Sequence, residues 1–188
     1  MTISTDDVSC IILAGGEGKR VGGVDKGLLE FEGKALVEHV IDRVAPQVDD
    51  IVISANRNKQ RYQQYSDNVI GDESEQFLGP LAGISAAFDR CKHDLVLIVA
   101  CDTPFLPTDI IEKFLSSKAD AQLYIASSNE KWQLVMLIHK SLQGTVKQSL
   151  DNNQLRLMQW ASSQRPEIID FPDDAAFKNF NHNDDFNS

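Results

Sequence analysis

A glycine-rich, cationic stretch at residues 13–31 is the first part of the chain whose residue types could bind an anion. It contains six glycines and three cationic side chains and directly follows an apolar run. Backbone N–H groups of glycine can approach phosphate oxygens without a Cβ in the way, and lysine or arginine neutralises the charge. The stretch therefore predicts a phosphate cradle. The alternative is a flexible surface loop with solvated charges.

Two standard phosphate-binding motifs do not fit this stretch. A dinucleotide fingerprint that starts at Gly16 would need a third glycine where Val21 stands. A P-loop needs Ser or Thr after its Gly-Lys pair, but Arg20 and Ala35 follow the two Gly-Lys pairs of this chain. The loop is thus predicted to be a phosphate cradle of another kind.

A carboxylate, Asp102, directly follows the apolar run "LVLIVAC". Such a run predicts a buried strand, and ligands of open α/β sheets bind at the carboxyl ends of the strands. A carboxylate at this edge is costly unless a cation or a metal ion accompanies it. The alternative is a loop or helix-capping aspartate beside Pro104.

The elements that would position these residues alternate between strand and helix patterns. Mostly apolar runs at residues 8–13, 51–53 and 95–100 are typical of strands buried on both faces of a parallel sheet. Between these runs, apolar residues recur at the spacing of one face of a helix. Two further strands are expected at residues 122–126 and 134–138. The pattern predicts an α/β fold of three layers, with a mostly parallel central sheet and helices on both faces.

The helix predictions rest on apolar spacing and on capping residues. One helix is expected to follow the cationic loop, and another to begin at Pro80 and extend to Cys91. Ser141 is expected to cap a later helix. Near the end, residues 177–181 are expected to dock on the domain, and residues 182–188 to form a frayed terminus.

Length and charge bound the possible functions. The 188 residues fit one domain, and the net charge of −10 opposes binding to nucleic acid or anionic lipid. The three cysteines, Cys10, Cys91 and Cys101, have no metal-binding spacing and are expected to be buried thiols in a reducing compartment. Without a signal-like start or a long apolar run, a cytoplasmic location is expected, with no membrane partner.

Several motifs together resemble one enzyme family. The loop "LAGGEGKRVGGVDKGL" resembles the signature of the molybdenum cofactor guanylyltransferases, which are Rossmann-like nucleotidyltransferases. The resemblance continues in the same order through "VISANR", "VIGD", "GPLAGI" and "CDTPFLP", and so covers most of the chain. It implies a single nucleotidyltransferase domain over residues 1–188. It also implies transfer of GMP from GTP to the terminal phosphate of Mo-molybdopterin, with release of pyrophosphate.

The resemblance also assigns site residues. It implies that Lys26 and Arg20 stabilise the phosphates, that Asp102 is catalytic and ligates Mg²⁺, and that Asp25 orients Lys26. The residues it implies for nucleotide binding are Leu13, Ala14, Gly15, Gly16, Lys26, Ser54, Asp72, Gly79, Pro80, Leu81 and Asp102. Taken alone, Asp72 could be a turn residue and Gly79–Pro80 simply a helix start.

The acceptor side of the site is assigned by shorter segments. Arg156 in "LDNNQLRLMQWA" is expected to bind the pterin phosphate, although it could equally be a solvated helix charge. Asn179 and Asn181 in "NFNHNDDF" are expected to return to the phosphate site. The expected partners are GTP, Mo-molybdopterin and, transiently, proteins of molybdenum cofactor synthesis and delivery.

Two other functions are compatible with the same residues. A cytidylyltransferase that acts on molybdopterin or another phosphorylated acceptor would share the fold and the reaction. A non-catalytic nucleotide-binding cofactor carrier would keep the nucleotide half alone, although Lys26 and Asp102 argue for turnover.

Overall fold

The computed structural model describes residues 7–16, 24–71, 79–117 and 119–180. In chain order the strands are β1 (Val8–Leu13), β2 (Glu30–Phe31), β3 (Lys34–Ala35), β4 (Asp50–Ser54), β5 (Val69–Ile70), β6 (Leu95–Ala100), β7 (Leu123–Ser128), β8 (Lys131–His139) and β9 (Glu167–Asp170). The helices are α1 (Leu36–Val44), α2 (Lys59–Tyr62), α3 (Pro80–Phe88), α4 (Ile110–Leu115), α5 (Gln143–Asp151) and α6 (Leu157–Ser163).

Seven of these strands form one sheet in the order β5-β4-β1-β6-β8-β7-β9, and β2 and β3 form a separate hairpin. Strand β1 lies parallel to both β4 and β6. Strand β8 pairs antiparallel with β6 and with β7, and the remaining pairs are parallel. The prediction of a mostly parallel sheet is confirmed.

Successive residues of each strand point to opposite faces of the sheet. Because the central strands are apolar at successive positions, both faces carry apolar side chains. One hydrophobic cluster joins β1 and β6 to α1 and α4 and includes Val40 and Phe114. The other joins the opposite face to α3, α5 and α6 and includes Ile84 and Trp160. Helices on both faces therefore confirm the three-layer α/β prediction.

The predicted strands at the start and middle of the chain are confirmed, whereas two helix predictions need correction. Helix α3 begins at Pro80 as predicted but ends at Phe88; Cys91 lies beyond it and still packs in the core. Ser141 caps no helix with its side chain. Instead its backbone N–H donates to the ring of His139, and α5 begins at Gln143 without a side-chain cap. The three cysteines are buried, as expected.

Within the described ranges, no helix has both the length and the apolar character needed to cross a membrane.

Candidate active site

Strands β1 and β6 end side by side at the carboxyl edge of the sheet, which we call the crevice. Leu13, the last residue of β1, pairs with Ser54 of β4 on one side and with Ala100 of β6 on the other. The chain leaves β1 toward β4 and crosses later to β6, which makes this edge the topological switch point of the sheet. Open α/β sheets bind their ligands at this point.

The strand ends bring together the glycine-rich stretch after β1, here called the glycine loop, and the segment of Asp102 after β6, here called the carboxylate loop. The N–H of Cys101 donates to the carbonyl of Leu13 at 3.1 Å, so Asp102 follows a residue bonded to the end of β1. The N–H of Ala14 donates to the carbonyl of Ser54 at 2.8 Å, which engages that amide in the sheet. Gly15 and Gly16, which follow, are the described glycines at the start of the predicted cradle, and Gly27 is described nearer its end.

Lys26 and Asp102 face each other in this crevice. The Lys26 Nζ lies 3.4 Å from Asp102 Oδ2, although 76 positions separate the two residues in sequence. Their side chains are 23% and 15% exposed, so both are largely withdrawn from water. The structure thus pairs the two residues to which the sequence motifs assigned the chemistry.

Ionisation of the Asp102 carboxyl is less favourable in the folded protein than in water. Burial raises the pKa of Asp102 above its ordinary value of 3.8, and the nearby Lys26 ammonium opposes that rise without cancelling it. A carboxylate in this state gains from any additional positive charge brought to it. Perturbed carboxylates of this kind are found preferentially at functional sites.

The donor set suits a magnesium ion that arrives with a nucleotide. No cluster of three or more His, Cys, Asp or Glu side chains able to hold a metal occurs among the residues that the structure describes. A closed structural metal site is therefore not formed by those residues. Mg²⁺ in nucleotide enzymes is commonly held by one or two carboxylates, with phosphate oxygens and water completing its shell. The single carboxylate of Asp102 fits that arrangement.

Asp25 was expected to orient Lys26, and the structure shows what holds Asp25 itself. Its carboxylate, 7% exposed, accepts hydrogen bonds from the Tyr62 hydroxyl and, at 3.0 Å, from the Asn58 side-chain amide. Neither Asn58 nor Tyr62 was identified from the sequence. They lie outside the quoted motifs, and only the fold brings them to the cationic loop.

The "SANR" segment also reaches the glycine loop. Arg57 Nη2 donates to the carbonyl of Gly16 at 2.9 Å. The Asn56 side chain lies 3.7 Å from the position that a Cβ on Gly15 would occupy. Asn56 and Arg57 therefore contact the glycine loop, and both precede α2, which begins at Lys59.

Four of the predicted nucleotide-binding residues, Leu13, Ala14, Ser54 and Leu81, have side chains that face the core. Ser54 is 3% exposed and Leu81 is fully buried, while Leu13 is partly buried and packs against the same cluster as Leu81. A Cβ on Gly83 of α3 would lie only 2.6 Å from Ser54 Oγ, which shows how closely helix and strand approach there. Contacts of these residues with a nucleotide stay predictions.

Arg156, the residue predicted for the acceptor phosphate, lies close to the start of α3. Gly79 and Pro80 are exposed at the start of α3, and a Cβ on Gly79 would lie 3.7 Å from the carbonyl of Leu155. Exposed Arg156 follows Leu155 directly and occupies the N-cap position of α6. The structure therefore brings the Arg156 segment beside the start of α3.

The C-terminal segment returns to the carboxylate loop, while contact of Asn179 with the phosphate site stays a prediction. The N–H of Phe180 donates to the backbone carbonyl of Asp102 at 2.9 Å, and Asn179 next to it is exposed. Arg20, Asp72 and Asn181, three further predicted site residues, lie outside the described residues.

A cavity of about 650 Å³ lies elsewhere, between the segment that leads into α4 and residues 171–176. None of the predicted site residues belongs to its lining within the described part of the chain. Its charged residues have both signs, for example Lys113 and Asp109, which pair at 3.6 Å. It is therefore separate from the crevice of Lys26 and Asp102.

Comparison with known proteins relates this chain to a family. The family model described as "MobA-like NTP transferase domain" matches residues 10–166. A molybdenum cofactor guanylyltransferase of Shewanella amazonensis is 42% identical over 178 residues, covering 93% of this chain and 91% of the relative. One of Shewanella halifaxensis is 39% identical over 181 residues, covering 94% and 90%.

Solved structures agree at the level of the fold. The molybdopterin-guanine dinucleotide biosynthesis protein A of Archaeoglobus fulgidus superimposes with a TM-score of 0.73 at 22% identity, covering 95% of each chain. A 4-diphosphocytidyl-2C-methyl-D-erythritol synthase of Anaerococcus prevotii gives 0.72 at 13% identity, covering 97% of this chain and 93% of that one. With a family model that spans most of the chain and curated relatives near 40% identity, the chain belongs to the MobA-like NTP transferase family.

Proposed function

We propose that this protein transfers GMP from GTP to the terminal phosphate of Mo-molybdopterin, releasing pyrophosphate and forming the guanine dinucleotide of the cofactor. The observation that carries the proposal is the Lys26–Asp102 pair at the switch point of the sheet, 3.4 Å apart and largely buried. The curated relatives of the same family, named molybdenum cofactor guanylyltransferases, support the choice of nucleotide and acceptor.

The reaction needs positioning and charge neutralisation more than it needs a base. The terminal phosphate of the acceptor is already an anion at neutral pH, so its oxygen can attack the α-phosphate of GTP without losing a proton. The bond to the α-phosphate forms as the bond to the pyrophosphate breaks, and negative charge builds on the leaving oxygens. Lys26, together with Arg20, neutralises that charge, while the Gly15–Gly16 backbone cradles the phosphates.

Mg²⁺ is part of this proposal, with Asp102 as its ligand. When bound, the ion would polarise the α-phosphate and offset the charge of the triphosphate. The raised pKa of Asp102 supports this role, because a carboxylate held mostly out of water is stabilised by an incoming cation. Lys26 then serves as the fixed cation of the pair.

The acceptor is proposed to bind along the walls formed by the starts of α3 and α6 and by the C-terminal segment. Arg156 is assigned to the pterin phosphate, and Asn179 and Asn181 are assigned to the phosphate site. A cytoplasmic location and transient contacts with proteins that deliver or receive the cofactor belong to the same proposal.

Incorporation of labelled GMP tests the function directly. Purified protein, Mg²⁺, α-labelled GTP and Mo-molybdopterin should yield labelled dinucleotide and one pyrophosphate for each transfer. Lys26→Ala should lower kcat by about 10²-fold or more, because one preorganised charge at a transition state contributes on that scale. Lys34→Ala is the matched control, since Lys34 is about half exposed and pairs with Asp42 on the surface.

Two outcomes would contradict the proposal. GTP binding without any GMP incorporation would indicate a carrier. Stronger thermal protection by CTP than by GTP, with Mg²⁺ present, would show that the proposed guanine specificity is wrong.

A further inference from the structure

The segment that carries Lys26 is held at one point by a buried tyrosine. Tyr62, fully buried in the last turn of α2, donates its hydroxyl to Asp25 Oδ1. Asn58, the N-cap residue of the same helix, donates its amide to Asp25 Oδ2 at 3.0 Å. Both oxygens of Asp25 are thus bound by one short helix, and Lys26 is the next residue in the chain.

The same hydroxyl also meets the residue on the other side of Lys26. A Cβ built on Gly27 would lie 2.5 Å from Tyr62 Oη and 3.1 Å from Cys101 Sγ. The turn of residues 26–28 therefore packs directly between Tyr62 and Cys101, and only glycine allows that approach. Cys101 in turn precedes Asp102, the partner of Lys26.

We propose that Tyr62 is a positioning residue for the nucleotidyl transfer, whose hydroxyl fixes the turn carrying Lys26 through Asp25 and Gly27 and so holds the ammonium opposite Asp102. The proposal rests on the proposed function for its assay. Tyr62 is fully buried, so it acts through Lys26 and does not touch the substrate.

The hydroxyl of Tyr62 is suited to this task because it stays protonated. Burial, with the nearby Cys101 and Asp25, raises the pKa of Tyr62 far above its ordinary value. The Tyr62 O–H therefore keeps its proton and stays available as the donor to Asp25 Oδ1. A hydrogen bond from a neutral donor to a buried carboxylate is among the stronger ones in proteins.

Tyr62→Phe tests the proposal, because it removes the hydroxyl and keeps the ring in its buried position. We expect kcat for GMP transfer to fall about tenfold and the KM for GTP to change less than about twofold, as for loss of orientation rather than of binding. The matched control is Tyr124→Phe. Tyr124 is another mostly buried tyrosine, and its hydroxyl donates to the carbonyl of Ala119 at 2.8 Å. This variant should lose stability to a similar extent and keep its kcat.

A double-mutant cycle separates positioning from a general loss of stability. If Tyr62 acts through Lys26, Tyr62→Phe should change the residual rate of Lys26→Ala by less than about twofold, measured in single turnovers with enzyme in excess. A tenfold loss in both backgrounds would overturn the proposal, as would a Tyr62→Phe variant with wild-type kcat.

A folding failure and a failure of the proposed function remain distinguishable. If Tyr62→Phe does not fold, Asn58→Gly removes the other donor to Asp25. Glycine tolerates the φ of +50° found at Asn58, so the same cycle with Lys26→Ala then decides. If wild-type protein incorporates no GMP, the proposed function fails. If wild type is active but neither variant lowers kcat through Lys26, only the positioning role fails.

Discussion

Asp102 is the residue at which stability and function oppose each other. Its carboxylate lies largely out of water and has a raised pKa, and Lys26 is the cation that faces it. The ionised form that the proposed metal ion requires is therefore less favourable in the folded protein than it would be in water. Natural active sites commonly sacrifice stability in this way.

Asp102→Asn should make the protein more stable and inactive. The folded-state pKa of Asp102 lies above the ordinary value of 3.8, so the stability that protonation contributes is present below pH 3.8 and is lost as the pH rises through the folded-state pKa. Asparagine mimics the protonated form, so Tm should rise at pH 7. The gain should shrink as the pH is lowered.

Thermal melts of both proteins in EDTA between pH 7 and pH 5 measure this gain, and GMP incorporation should fall by about 10²-fold or more. An unchanged or lower Tm of Asp102→Asn at pH 7 would show that the Lys26 pairing outweighs the cost of burial.

At the scale of elements, the crevice depends on how closely α3 packs on β4 and β1. Gly83 lies in the interior of α3, and a Cβ there would be 2.6 Å from Ser54 Oγ and 3.3 Å from Leu13 Cδ2. Leu13 and Ser54 end the two strands that lead into the crevice. A shift of α3 away from the sheet would therefore move the ends of both strands relative to the start of α3.

Gly83→Ala should destabilise the protein by about 1–2 kcal/mol, although alanine favours a helix by roughly 1 kcal/mol over glycine, because the added methyl overpacks a buried contact. Urea unfolding measures the change. Gly144→Ala in α5 is the control, since nothing lies within 4 Å of its Cβ position and the substitution should be stabilising. Adding Ser54→Ala, which removes the obstructing hydroxyl, should recover most of the loss; a failure to recover it would point to another contact.

Across the whole molecule, the C-terminal segment ties the hairpin to the carboxylate loop. Phe180 is almost fully buried, with its ring centroid 4.8 Å from that of Phe31 in the β2–β3 hairpin and 5.7 Å from that of Phe105. Its N–H bonds the carbonyl of Asp102. Residues far apart in sequence thus share one aromatic cluster at the edge of the site.

Phe180→Ala should cost about 3 kcal/mol of unfolding free energy, the usual cost of emptying a buried aromatic position, and should also lower kcat by loosening the loop of Asp102. Phe105→Ala is the matched control in the same cluster, and it should cost less because Phe105 is 38% exposed. Chemical denaturation and the GMP assay give the two readouts. Equal costs for the two variants would mean that burial of Phe180 contributes little beyond the shared cluster.

The sequence by itself determined the α/β alternation and the strands that became β1, β4, β6, β7 and β8, because apolar runs and amphipathic spacing are local patterns that report burial directly. It also pointed to Lys26 and Asp102 as the candidate chemical groups, because both stand in motifs of a known enzyme family, and the structure brings their side chains to 3.4 Å. The end of α3 and the missing side-chain cap of α5 were misjudged, since helix ends depend on local bonding that spacing does not reveal.

Only the tertiary structure decided what holds these groups in place. Tyr62 and Asn58 bind Asp25 across more than 30 positions of sequence, and Gly27 fits between Tyr62 and Cys101. No local pattern marks a buried hydroxyl as the partner of a distant carboxylate, because that pairing arises when β4 and β6 align on the two sides of β1. The candidate residues for the reaction can be proposed from motifs, whereas the contacts that position them exist only once the sheet has formed.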